Sequence, residues 1–142
     1  MKTLKIFFAV SFFIFLFSVS SFAADKCSTA TNSKQESIVK SLLKGINSDN
    51  YGLRTSSAYL LGELKIESAV IPLMKMLHSE ENEDARIVAA LALYKIGDLR
   101  GLFAVKQAIK YDESERVKKL CSNFYNDFVY KNRLSQINLA IK

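Results

Sequence analysis

The chain has 142 residues, with 20 Lys and Arg against 14 Asp and Glu, which gives a formal net charge of +6 at pH 7. This length is enough for one domain. The charge is only mildly basic and the sequence has no Arg-rich cluster, so the composition does not favour a nucleic-acid-binding protein. There is one Pro and no low-complexity tract.

Residues 1–23 have the layout of a secretory signal peptide. Two lysines precede an apolar run over residues 6–19, and Ser21-Phe22-Ala23 forms an A-x-A-like cleavage site. The run is shorter than the ~20 residues of a membrane-spanning helix. We therefore expect cleavage before Ala24, a mature chain of net charge +4 (18 basic and 14 acidic residues), and a periplasmic or secreted bacterial protein. The alternative is an uncleaved anchor, which would make the protein a membrane-tethered scaffold.

The remaining chain predicts helices only. Residues 24–33 are small and polar and predict a flexible tail, which leaves 34–142 as the folded domain. The spacing of Ser33 and Glu36 is that of a capping box, which predicts the start of the first helix. Pro72 falls in the first turn of the third helix, where Pro is tolerated. Apolar residues at helical intervals predict five further helices, at about 51–64, 68–78, 85–96, 101–111 and 115–130, the last with a weaker amphipathic extension through Leu134, Ile137 and Ile141.

Two of these helices carry a repeated pattern. The stretch RTSSAYLLGEL begins at Arg54 and RIVAALALYKI begins at Arg86, and the same shift along the chain pairs Leu73 with Val105. The separation of Arg54 and Arg86 is called the repeat period below. A unit of two short antiparallel helices cannot bury its own apolar face, so such units stack and share one core. We count two units, at about 50–82 and 83–114, with the first and last helices as caps.

The segment AVIPLMKMLHSEENEDARIVAALALYKIGD, residues 69–98, resembles a HEAT-like repeat of the phycobilisome-lyase type. The resemblance implies an all-α fold, a short right-handed α-solenoid of antiparallel helix pairs. It also implies structural roles for Arg54, Arg86 and Asp98 in the turns between helices. Tyr94 departs from the family pattern, because it stands where the family has the Gly that Gly62 keeps. The resemblance says little about function, because this repeat serves many unrelated binding roles.

Candidate chemical groups are few. The single His78 at a helix end favours a solvated residue over a catalytic base. The acidic loop SEENED, residues 79–84, lacks the spacing of a calcium-binding EF-hand, and the basic run at 116–120 is a weak candidate for a phosphate site. No Cys-x-x-Cys motif, Gly-rich phosphate loop or metal-ligand spacing is present. We therefore predict no enzyme activity, no cofactor and no metal; the alternative implied by the resemblance is a lyase-associated accessory factor.

The second helices of the units carry the informative pattern. At about 100° per residue, one side of each helix faces the predicted core, through Val70, Leu73, Met74, Leu77, Leu102, Val105 and Ile109. An outward stripe lies opposite, and comprises Val39, Leu43 and Ile46, then Ile71, Lys75 and His78, then Phe103, Gln107 and Lys110.

The stripe contains an apolar column of Val39, Ile71 and Phe103, each one repeat period from the next. In HEAT-type stacks the second helices line the concave face that holds partners, and exposed apolar patches rimmed by polar groups mark interaction surfaces. We predict that a protein or peptide partner binds there, with no nucleic acid, and with no membrane unless the signal is uncleaved. The alternative is that the tail, a cap or a second copy covers the column.

The two cysteines, Cys27 and Cys121, allow three states. An exported protein meets an oxidising compartment, which favours a bond within the chain or between two chains. Free thiols are the third state, and the sequence leaves all three open.

Overall fold

A computed structural model describes the backbone of residues 25–140 and the side chains of residues 33–139. The predicted signal peptide at 1–23 lies outside this part of the chain. Helices α1 to α6 span Asp25–Gly45, Tyr51–Glu63, Val70–Ser79, Glu83–Ile96, Leu99–Tyr111 and Glu115–Ala140, and a 3₁₀-helix, Glu67–Ala69, precedes α3. The described residues contain no strand, so the predicted all-α fold is confirmed.

Two compact units divide the chain, Met1–Ile38 and Val39–Lys142. Of the first, only the N-terminal part of α1 is described. The second holds the helix pairs and the groove described below. Between residues 25 and 140, no helix combines the length and the apolar character that a membrane crossing requires.

Helix α1 begins earlier than the sequence predicted. Its first residue is Asp25, so the predicted start at the capping box of Ser33 and Glu36 is wrong, and the segment 24–33, predicted as a tail, is helical from Asp25 onward. No Gly or Pro interrupts residues 25–44, and small polar residues cost a helix only a few tenths of a kcal/mol each. Polarity alone therefore did not distinguish a tail from a polar helix.

The turns of the two predicted units share their local chemistry. Asn50 and Asn82 are N-caps, and their side chains accept hydrogen bonds from Leu53 N and from Asp84 N and Ala85 N respectively. After the first helix of each unit, Lys65 (φ 52°) and Gly97 (φ 77°) adopt the left-handed conformation at positions one repeat period apart. This conformation ends an α-helix and reverses the direction of the chain. The chain then forms the second helix of each unit, α3 or α5.

Helix α4 lies at the centre of the second unit, where it packs against α2, α3, α5 and α6. Small residues permit the closest contact. A Cβ added to Gly62 would lie 2.6 Å from Ala92 Cα, so the two backbones of α2 and α4 approach too closely for any side chain at position 62. Leu61 and Leu93 are completely buried in the shared core.

The contact between α4 and α6 has large side chains at the positions that correspond to the small residues between α2 and α4. One repeat period relates Tyr94 to Gly62 and Phe124 to Ala92. The rings of Tyr94 and Phe124 stack with centroids 5.6 Å apart. The Tyr94 hydroxyl donates to Asp127 and accepts from Lys131 Nζ at 2.7 Å. The departure of Tyr94 from the family pattern thus serves the packing of the last helix.

Cys121 carries a free thiol and is completely buried in α6. Burial raises the pKa of this thiol to about 12, which keeps it protonated and unreactive at neutral pH. The structure thus corresponds to the free-thiol state for Cys121, while the side chain of Cys27 lies outside the described part.

Candidate partner-binding groove

A groove of ≈ 860 Å³ runs between α3 and α5. Apolar side chains form its floor, aromatic and polar side chains form its walls, and charged residues of the two following turns close one end. The lining residues are Met74, Leu77, Ala104 and Ala108 on the floor, His78, Phe103, Gln107 and Tyr111 on the walls, and Ser79, Glu80, Glu81, Arg86, Asp112 and Glu113 at the end.

The structure brings part of the predicted stripe into this groove. Phe103, Gln107 and His78 are exposed and line it. Lys75 is exposed but lines a smaller neighbouring pocket of ≈ 270 Å³. Ile71 and Lys110 are exposed outside the groove lining. The role of all six residues in binding a partner stays a prediction.

The stripe on α1 differs from the prediction. Ile46 is buried in the core at 5% exposure, and Leu43 packs against the core, so the assignment of these two residues to an outward stripe is wrong. Val39 is half-buried, and its role in binding a partner stays a prediction. Leu42, Leu43 and Ile46 follow Val39 at i+3, i+4 and i+7, so they share one face of α1, and this face is the one that packs on the core. The exposed apolar column consists of Ile71 and Phe103 alone, at 58% and 60% exposure.

The predicted core faces of α3 and α5 are largely confirmed. Val70, Leu73, Leu77, Leu102 and Val105 are buried. Ile109 is half-buried against the core, and so is Met74, which also forms part of the groove floor. Met76, which the sequence analysis left out of the core, is buried.

Arg86 fixes the charged end of the groove. Its Nε and Nη2 donate to the two carboxylate oxygens of Asp112 at 2.9 and 3.0 Å. Its Nη1 donates to the carbonyl oxygens of Glu80 and Glu81 at 2.8 and 2.9 Å. One guanidinium therefore ties the turn after α3 to the turn after α5, and the hydrogen bonds to Asp112 raise the pKa of Arg86.

Arg54 makes the same four bonds one repeat earlier. It donates to the carboxylate of Glu80 at 2.8 and 3.2 Å, and to the carbonyl oxygens of Ser48 and Asp49 at 2.8 and 3.0 Å. Glu80 takes part in both sets of bonds, because its carboxylate accepts from Arg54 and its carbonyl oxygen accepts from Arg86. The predicted structural roles of Arg54 and Arg86 are confirmed.

Asp98 is confirmed as a structural residue as well. It caps α5, where its carboxylate accepts from Arg100 N at 2.8 Å. The guanidinium of Arg100 binds the same carboxylate and lowers the pKa of Asp98 to about 2.

Of the residues that line the groove, sequence reasoning named only His78, Phe103 and Gln107 as partner-binding. Those it missed include Met74, Tyr111, Glu81 and Glu113. Glu81 belongs to the acidic loop that was interpreted as merely solvated, and Tyr111 lies at a helix end. Glu81 and Glu113 are one repeat period apart, and this relation was a signal that could have found them.

The groove combines an apolar floor, two exposed aromatic rings and acidic residues at one end, which is a suitable arrangement for holding an apolar segment with polar or charged side chains. His78 lies exposed on the last turn of α3. Among the described residues, no group of three or more His, Cys, Asp and Glu is placed to hold a metal ion.

Comparison with known proteins gives one finding. A family model described as HEAT repeats matches residues 39–122, which covers α2 to α5 and the adjoining parts of α1 and α6. A search of curated proteins gives no match.

Proposed function

The chain belongs to the HEAT repeat family, whose repeats generally serve as scaffolds for protein interactions, and on this basis we propose that it binds a segment of a protein or peptide partner in the groove between α3 and α5. In this proposal the protein is an exported, non-catalytic scaffold.

The exposure of Phe103 is the observation that carries this proposal. Its side chain is 60% exposed on the groove wall, beside the polar Gln107. Aromatic side chains in such surroundings are frequent binding hot spots, and the volume of ≈ 860 Å³ is within the range of about 300–1,000 Å³ that is usual for ligand pockets.

We expect Phe103→Ala to weaken binding by about 1–3 kcal/mol with little change in melting temperature, because the exposed ring contributes little to the core. Peptides selected from a phage-displayed random library against the purified protein provide the ligands, and fluorescence anisotropy gives their dissociation constants. Ile71→Lys tests the other exposed member of the column and should also leave the melting temperature nearly unchanged.

Leu99→Ala is the matched control, since Leu99 lies on α5, is 77% exposed and does not line the groove. It should leave binding unchanged. If Phe103→Ala destabilised the fold by about 3–5 kcal/mol, as buried aromatic truncations do, and left peptide binding intact, the groove would not be the binding surface.

Export is the second part of the proposal, and it rests on the charged, apolar and small-residue order of residues 1–23. We expect the mature chain to begin at Ala24 when the gene is expressed in a bacterium. Mass spectrometry of the protein from periplasmic and membrane fractions measures this, and an intact 142-residue chain in the inner membrane would favour a membrane-tethered scaffold instead.

A further inference from the structure

The contacts between α2 and α4 and between α4 and α6 use the same pair of positions. Gly62 on α2 meets Ala92 on α4, where an added Cβ would lie 2.6 Å from Ala92 Cα. Tyr94 on α4 meets Phe124 on α6, with ring centroids 5.6 Å apart. One repeat period separates the two contacts, so Ala92 and Phe124 mark the position through which α4 and α6 each contact the preceding helix of the series.

Leu60 holds this position on α2, one repeat period before Ala92. Ala92 is 1% exposed, and Phe124 packs against the core. Leu60, in contrast, is 45% exposed. Helix α2 therefore presents to solvent the position that meets another helix in both later repeats.

Three more exposed residues of α2 and its C-cap lie on the same side as Leu60. Leu53, Ser56 and Leu64 precede or follow Leu60 at helical intervals, so the four residues share one face, which is called the Leu60 face below. All four are exposed. The counterparts of the other three in α4 are buried or pack against the core, namely Ala85, Val88 and Ile96.

The other end of this helix series is polar. Asn126 of α6 follows Gly62 and Tyr94 at one repeat period, and it is exposed, as are Asn123 and Lys119 on the same face of α6. A polar outer face is typical of a repeat that ends an array. A head-to-tail stack of copies would place the apolar Leu60 face on these polar side chains, so the two ends do not complement each other.

The Leu60 face complements itself when two copies of α2 run antiparallel about a twofold axis. The midpoint between positions 53 and 64 nearly coincides with the midpoint between 56 and 60. Leu53 therefore faces Leu64 of the second copy, and the small Ser56 faces Leu60 of the second copy. Twofold interfaces of this kind, in which one patch meets itself, are the commonest in protein oligomers.

Charges at the two ends of α2 favour the same arrangement. Asp49 precedes the helix and Lys65 follows it, both are exposed, and none of the salt bridges among the described residues involves either. Antiparallel helices bring Asp49 to the same end as Lys65 of the second copy, and they do so twice. Parallel helices would bring like charges to the same end, which opposes association.

We propose that the protein forms a symmetric dimer in which the Leu60 faces of two copies pack antiparallel, so that each α2 covers the exposed face of the other. One helix of 13 residues per copy makes a small interface, so we expect a reversible dimer with a micromolar dissociation constant. No residue of α2 lines the groove between α3 and α5, so the dimer leaves both grooves available to a partner.

Sedimentation equilibrium of the purified protein over a roughly hundredfold range of concentration measures this association by mass action. A thiol reductant is present throughout, because a bond between two Cys27 residues would also give a dimer. We expect a monomer–dimer equilibrium. A protein that stays monomeric over the whole range would overturn the proposal.

Leu60→Glu should weaken the dimer by about tenfold or more, because each copy would bury a carboxylate in an apolar interface. Ile137→Glu is the matched control, since Ile137 is also an exposed apolar residue, at 53% exposure on α6, and lies outside the Leu60 face. It should leave the equilibrium unchanged. If Ile137→Glu dissociates the dimer and Leu60→Glu does not, α6 forms the interface and the proposal is wrong.

Charge reversal tests the antiparallel arrangement. Asp49→Lys and Lys65→Asp should each weaken the dimer about three- to tenfold at low salt, because each replaces two attractive pairs by repulsive ones. The double variant Asp49→Lys/Lys65→Asp should restore the affinity. Asp is tolerated in the left-handed conformation of Lys65. A double variant as weak as the single variants would refute the antiparallel pairing.

Thermal unfolding distinguishes a second copy from a segment of the same chain as the occupant of the face. At concentrations where the protein is monomeric, Leu60→Glu should leave the melting temperature nearly unchanged. A large decrease without any effect on association would mean that the chain covers this face itself, and the dimer would be refuted. Leu60→Glu should also leave peptide binding in the groove unaffected, so this inference and the proposed function fail separately.

Discussion

Truncation of Leu93 to Ala is expected to lower the free energy of unfolding by about 2–5 kcal/mol, the range of buried Leu truncations. Leu93 is completely buried in α4, the helix that contacts α2, α3, α5 and α6. A Cβ added to Gly101 would lie 2.8 Å from Leu93 Cδ2, so the backbone of α5 packs directly on this side chain. The truncation would therefore leave a cavity between α4 and α5, the two helices of one unit.

Leu91→Ala is the control for this experiment, because Leu91 lies on the same helix but is only half-buried. It should cost much less than Leu93→Ala in a urea melt of each variant. Equal losses would show that the faces of α4 are assigned incorrectly.

Replacement of Arg86 by Met is expected to cost about 3–5 kcal/mol, the range for breaking a buried ion pair from one side. The side chains of Arg86 and Asp112 are 13% and 7% exposed. Without the guanidinium, the Asp112 carboxylate loses its partner, and the carbonyls of Glu80 and Glu81 each lose a donor. Ser114 N still donates to Asp112 at 2.8 Å, which compensates for only part of the loss.

Arg100→Met provides the comparison, because Arg100 also pairs with an aspartate but is 61% exposed. Surface pairs of this kind contribute about 0–1 kcal/mol. Thermal or urea unfolding of both variants measures the difference. A loss for Arg86→Met as small as that for Arg100→Met would mean that the two turns hold together without the guanidinium.

Periodicity was sufficient to predict most of the fold. The repeat period, read from the paired segments at Arg54 and Arg86, placed α2 to α5 within a few residues, and Pro72 fixed the start of α3 because Pro fits only the first turn. The roles of Arg54 and Arg86 followed from the resemblance of their segments to a known repeat. Such features can be read from a single sequence, because each is either local, as Pro72 is, or present once in each of the two units, as the arginines are.

The groove was harder to predict, because it depends on which faces of two non-consecutive helices meet. Met74 is a core position by angular spacing, but it lies at the boundary between α3 and α5 and forms part of a surface. Ile46 shares a face of α1 with Leu42 and Leu43 by the same spacing, and in the structure that face packs on the core instead of pointing outward. The packing between helices decides both cases, and it is not encoded in the spacing of apolar residues within one helix.

The left-handed residues Lys65 and Gly97 have no counterpart in the last described helix, α6. Position 129, one period further on, holds Val, a β-branched residue for which a positive φ is strongly unfavourable. Helix α6 accordingly continues without a turn to Ala140. Leu134 and Ile137 occupy the positions that Leu102 and Val105 hold in the core, but they remain 40% and 53% exposed. Residues beyond Val129 therefore keep the apolar pattern of a second helix, but without a turn at this position they continue α6 and are not folded back onto the core.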